Sequence, residues 1–142
     1  MKIQVINRTK NKIDVNKIVE LANNILSEEN LFEKNSYINI VITNDEEMIE
    51  YNRKFRSKDG PTDVLSFEYG LNEETIGDIV ISFETVAQQA PEYNNSTETE
   101  LCLMIIHGIL HLLGYDHEKN EKEAKIMFDK QDYYSNKYIE EG

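Results

Sequence analysis

His107-Gly-Ile-Leu-His111-Leu-Leu-Gly114-Tyr-Asp-His117 contains all three histidines of the chain. By spacing this is H-x-x-x-H-x-x-G-x-x-H. On a helix, residues four apart lie on one face, so His107 and His111 can aim two imidazoles at one point. Gly114 can take the left-handed conformation that ends a helix, and a chain turning there can bring His117 back to the same point. Three neutral imidazoles suit one Zn²⁺ per chain, and a fourth position left to water marks a catalytic site. Other divalent transition metals accept the same donors. A carboxylate from elsewhere, such as Asp63 or Asp78, would instead close the site into a structural clamp.

Working outward, Leu101 to Ile106 is apolar, and Ile109, Leu110, Leu112 and Leu113 continue it. The run is too short to span a bilayer and reads as a central buried helix apolar all round. Cys102 falls five residues before His107, off its helical face, and reads as a core thiol. A single cysteine makes no internal disulfide, which fits a reducing cytoplasm. The first residues lack the pattern of a signal peptide. The expectation is a cytoplasmic protein with no membrane association.

Upstream, Lys2 to Asn7 alternates as a strand, and Asp14 can cap a helix whose apolar positions, at a helical period, are Val15, Ile18, Val19, Ala22, Ile25 and Leu26. Tyr37 to Thr43 reads as a strand with Ile38, Ile40 and Ile42 on one face. Thr43 with Glu46 suggests a capping box for a helix that buries Met48, Tyr51, Asn52 and Phe55. Asp59-Gly60-Pro61 breaks the chain before a strand over 62–67. Another strand spans 76–82, with Ser82 capping a short helix that ends near Pro91. Thr97 with Glu100 suggests a second box opening the histidine helix. Ala124, Met127, Phe128, Gln131, Tyr134 and Tyr138 define the inner face of a last amphipathic helix. The order predicts an α+β domain over residues 1–142: a small mixed sheet of about four strands, packed with helices around the histidine helix.

The net charge of −12 excludes a protein that coats nucleic acid by charge alone. Yet eight of the fifteen basic residues sit in two acid-free segments. These hold Lys2, Arg8, Lys10 and Lys12, then Arg53, Lys54, Arg56 and Lys58. The histidine spacing resembles that of zinc metalloproteases, which carry a glutamate general base directly after the first histidine. Here that residue is Gly108, which removes the base a peptidase needs and leaves room for a bulky group near the metal. Asp116, beside His117, reads as a helix-flanking cap or as a partner of the site. A metal beside an arginine suits phosphodiester hydrolysis, the arginine gripping phosphate oxygens. Arg56, nearest the basic turn, is the candidate.

Three blocks together resemble the YbeY family of bacterial ribosomal-RNA maturation endoribonucleases. They are Phe55-Arg56-Ser-Lys-Asp59-Gly-Pro61-Thr62-Asp63-Val64-Leu65-Ser66-Phe67, Gly77-Asp78-Ile79-Val80-Ile81-Ser82, and the histidine block through His117. The resemblance implies a zincin-like α+β fold and a single-strand-specific, metal-dependent endoribonuclease. Its implied task is trimming the 3′ end of small-subunit (16S) rRNA, with a part in ribosome quality control. It implies His107, His111 and His117 as zinc ligands and Arg56 as the functional arginine. The implied partners are single-stranded rRNA in the small ribosomal subunit, a small-subunit ribosomal protein and an assembly GTPase. Two other readings share the motif: a metal-stabilised, non-catalytic ribosome-assembly factor, and a zinc metallopeptidase.

Overall fold

The computed structural model describes residues 1–56 and 63–139, with the side chains of Phe55 and Arg56 outside the description. Four strands, β1 (Lys2–Asn7), β2 (Tyr37–Thr43), β3 (Val64–Glu68) and β4 (Thr75–Ser82), form one mixed sheet in the order β1-β2-β4-β3. The first two pairings are parallel, and β3 runs antiparallel to β4. The α+β class and the mixed sheet match the sequence expectation.

β2 and β4 are buried along most of their length because both faces of the sheet are covered. On one face Ile38, Ile40 and Ile42 of β2 and Ile79 and Ile81 of β4 join helices α1 (Val15–Glu28) and α4 (Thr97–Leu112) in the main core. Each fully buried isoleucine contributes about 1.5–3 kcal/mol. On the other face Val41, Leu65 and Val80 pack with Met48 of α2 (Asp45–Tyr51), and Tyr51 and Phe67 close the edge of that smaller cluster. α1 buries Ile18, Leu21, Ala22, Ile25 and Leu26 on one stripe, and Asp14 caps it by accepting from the Lys17 amide.

α4 packs against α1, α3 (Phe83–Gln89), α5 (Glu121–Tyr138), β3 and β4. Its buried residues face every direction, which explains the run without helical amphipathicity. Glu100 is buried in it, and its carboxylate accepts from the amides of Gln89 and Asn95. Burial of that carboxyl group is tolerated because its oxygens are hydrogen-bonded.

Several local expectations shift. Thr43 remains paired with Ser82 in the sheet, so Asn44 caps α2 by accepting from the Glu47 amide, while Thr43 donates to the Glu47 carboxylate. Likewise Ser96, still extended, caps α4 by accepting from the Thr99 amide, and Thr97 is already helical. Past Tyr51 the α2 backbone loosens into a π-helical turn over Asn52–Arg56, a form that recurs at functional sites. Phe128 was expected inward but is 46% exposed. Met127 and Tyr134 are the buried residues of α5. Among the described residues no helix is long and apolar enough to cross a membrane.

Candidate metal centre

α4 brings His107 and His111 to the end of the central helix, each half-buried. Beyond Leu112 the chain reaches Gly114 at φ 102°, a conformation that favours glycine. Tyr115 then anchors the turn by donating to Glu29 at 2.6 Å. Asp116 accepts from the Glu118 amide two residues on, an Asx turn, while Asn120 supplies the cap of α5. The expected cap role of Asp116 is therefore taken by Asn120. The turn returns His117 to His107, ring centres 5.1 Å apart, while His107 and His111 stand 6.4 Å apart.

Two imidazoles sharing a tetrahedral Zn²⁺ place their ring centres roughly 5 Å apart, given Zn–N bonds of about 2.0–2.1 Å. The first pair has this separation, and the second is wider. As the rings stand, among the described residues no group of three or more His, Cys, Asp or Glu side chains is drawn close enough to hold a metal ion. The donor chemistry nevertheless fits a divalent ion. Among the described residues, the Nδ1 of His117 is buried without a hydrogen-bond partner, as happens where a ligand completes a site. Closing on an ion would bring His111 and His107 nearer to each other than they stand here.

The three rings have different surroundings. His107 Nδ1 lies 2.5 Å from the side-chain oxygen of Gln131 on α5. Burial, the largest influence, pushes its pKa below the usual imidazole value against the opposing hydrogen bond from Gln131. The neutral form, the one that ligates metals, is thereby favoured. His111 Nδ1 lies 2.7 Å from a carboxylate oxygen of Glu68, without the alignment of a hydrogen bond. His117 packs its ring on Phe128, centres 5.8 Å apart.

Gly108 does not leave room near the metal as expected; it faces the sheet. A Cβ there would stand 2.8 Å from the Ile79 side chain of β4, so this helix lies too close to the strand for any larger residue without adjustment. Asp78 is on the opposite face of β4, with its oxygens accepting from Asn39 and from the Tyr69 hydroxyl. It is not a fourth ligand in this arrangement. Asp63 is near enough to raise the His107 pKa, and one of its oxygens accepts from Gln89. Cys102 is a core thiol, as its position suggested, with its pKa pushed up to about 11 by burial. The backbone of Arg56 closes the π-helical turn. Its side chain and the basic turn over 57–62 lie outside the described residues.

Sequence reasoning missed Glu68 and the role of Gln131. Gln131 had a signal, as a polar residue on the inner stripe of an amphipathic helix. Glu68 had none, since only the antiparallel pairing of β3 carries it to the histidine helix.

The family model for endoribonuclease YbeY matches residues 4–139. A protein of Petrotoga mobilis described as endoribonuclease YbeY is 48% identical, over 99% of this chain and 98% of the relative. One from a Sulfurihydrogenibium species, described the same way, is 44% identical, over 87% and 90%. A solution structure of a Thermotoga maritima protein superposes with a TM-score of 0.71 at 35% identity, over 96% of this chain and 88% of that one. With a family match over nearly its whole length and relatives this similar, the chain belongs to the endoribonuclease YbeY family.

Proposed function

We propose that this chain is a metal-dependent endoribonuclease of single-stranded RNA that acts in 3′-end maturation of small-subunit rRNA and in ribosome quality control. Family membership supports the reaction class. The observation that carries the metal part is the end of α4, where His107 and His117 stand at ligand spacing and a buried nitrogen of His117 has no partner. His107, His111 and His117 would hold the ion. A divalent cation such as Zn²⁺ supplies Lewis acidity to water and to a phosphate oxygen when bound.

The residues of the chain do the rest. The three imidazoles present the donors, and burial favours the neutral form of His107. Arg56 grips the non-bridging oxygens of the scissile phosphate through its planar fork. The basic segments over 1–12 and 51–58 confine RNA contact to part of an otherwise acidic surface, which makes binding sensitive to salt. Such a surface also suits assistance from a small-subunit ribosomal protein or an assembly GTPase in the cytoplasm. A peptidase reading is disfavoured, because Gly108 supplies no carboxylate general base after the first histidine.

The test is cleavage of single-stranded RNA by purified protein, with and without a chelator, alongside His111→Ala and Arg56→Ala. Activity should fall at least about a hundredfold in the chelated protein and in both variants, with the circular dichroism of a folded chain retained. Undiminished cleavage by the chelated protein would exclude the mechanism.

A further inference from the structure

We infer that Gln131 is the positioning residue for His107, selecting which of its two ring nitrogens is offered to a cation. The inference rests on the metal reading above and deepens it. Gln131 lies on α5, twenty-four residues beyond the histidine, and its side-chain oxygen is 2.5 Å from His107 Nδ1 in a half-buried setting. An amide oxygen only accepts, so the nitrogen facing it must carry the proton. A neutral imidazole has one proton, and its other nitrogen then holds a free lone pair. Gln131 thus sets His107 as the Nδ1–H tautomer and leaves Nε2 for a divalent ion. The reverse tautomer would need the Gln131 amide turned over, so that its Nε2 donates to Nδ1 in place of the oxygen that faces the ring here.

Among the described residues the other rings lack an equivalent. The Glu68 carboxylate approaches His111 Nδ1 out of hydrogen-bond alignment, and His117 Nδ1 has no partner. Among the described residues, His107 is therefore the one ring of the three with a partner aligned on its Nδ1 before any ion arrives. It gives the site a preformed donor on which the others close. Residues that hydrogen-bond a ligating histidine from behind change metal affinity by roughly 10- to 100-fold.

The test uses the full chain with Gln131→Met, which keeps length and apolar packing but removes the acceptor, and Gln131→Glu, which restores one. In metal-free protein, long-range ¹H–¹⁵N spectra of the histidine rings read the tautomer directly. Zn²⁺ affinity is read by competition with a chromophoric chelator. The wild type should show His107 protonated at Nδ1, and Gln131→Met should shift it to a mixture and weaken Zn²⁺ binding roughly 10- to 100-fold. Gln131→Glu should recover the tautomer and the affinity to within a few-fold of wild type. An unchanged tautomer and affinity in Gln131→Met would overturn the proposal, since a packing role alone predicts that result. If the tautomer follows residue 131 but wild-type protein binds no Zn²⁺, the metal reading fails and the positioning role falls with it. If Zn²⁺ binds wild type and Gln131→Met equally well despite a changed tautomer, the metal reading survives and only the role of Gln131 is lost.

Discussion

α5 serves two polar clusters that differ in how completely they are paired. Toward the C-terminal end of α1, Glu29 accepts from Tyr115, Tyr134 and Lys130, and Glu28 accepts from Tyr133, Tyr138 and Lys137. The rings of Tyr134 and Tyr138 stack beside them, centres 6.3 Å apart. At the end of α4, among the described residues, three imidazoles share one hydrogen bond with α5, and two of their Nδ1 atoms are buried without one. A buried polar group without a partner costs about 1–3 kcal/mol. The carboxylate cluster therefore has the pairing of a structural clamp, and the histidine cluster that of a site completed from outside. The two are linked, because Tyr115 ties the turn that carries His117 to Glu29.

The two clusters should respond oppositely to deletion and to metal. The largest effect is expected from Glu29→Ala, which leaves two phenol hydroxyls and an ammonium without their acceptor. Breaking one partner out of such a network costs about 3–5 kcal/mol, which for a chain of this length lowers the thermal midpoint by roughly 10 °C. Urea unfolding of the variant measures it, and a loss below about 1 kcal/mol would show that the clamp stabilises little. Next in size is the response to Zn²⁺, which should stabilise the wild type by about 2.7 kcal/mol at one hundred times its dissociation constant. His117→Ala should abolish that increment, whereas Tyr138→Phe, on the rim of the clamp, should retain it. Equal Zn²⁺ responses in the two variants would erase the distinction between the clusters.

What could be read from sequence follows from how local each signal is. The α1 stripe, the Ile38-Ile40-Ile42 face and the histidine spacing with its helix-ending glycine are short-range patterns, and each corresponds to an element of the fold. The first capping box is displaced by one residue because Thr43 is still engaged in the sheet, a long-range pairing with Ser82 that no window around position 43 contains; the second is displaced the other way, because Ser96 takes the cap and Thr97 is already helical. Gly108 was legible as a missing glutamate but not as a contact with Ile79, which depends on how closely α4 lies on β4. The same limit hid Glu68, which reaches His111 only through the β3–β4 register. The clamp was less visible still. Glu28 and Glu29 meet tyrosines more than eighty residues away, and a pair of glutamates at a helix end reads as ordinary solvated charge.

Acid sharpens the comparison at the smallest scale. For Glu29, burial is the largest influence and pushes its pKa up, but the hydrogen bonds from Tyr115, Tyr134 and Lys130 together outweigh it. Its pKa therefore lies below the ordinary value of 4.5. Glu28 is lowered too, first by Tyr133 and then by Tyr138. A carboxyl with a depressed folded pKa binds fewer protons folded than unfolded, so its contribution is fully present above pH 4.5 and is lost as the pH falls through the folded value. Urea midpoints measured downward from pH 4.5 should decline in the wild type more steeply than in Glu29→Gln, which has no proton to take up at that position. The difference should be well below the cost of deleting Glu29 outright, because solvent screens a partly exposed group. Parallel curves for the two proteins would mean that the clamp holds by hydrogen-bond geometry alone and that the charge on Glu29 adds nothing to the fold.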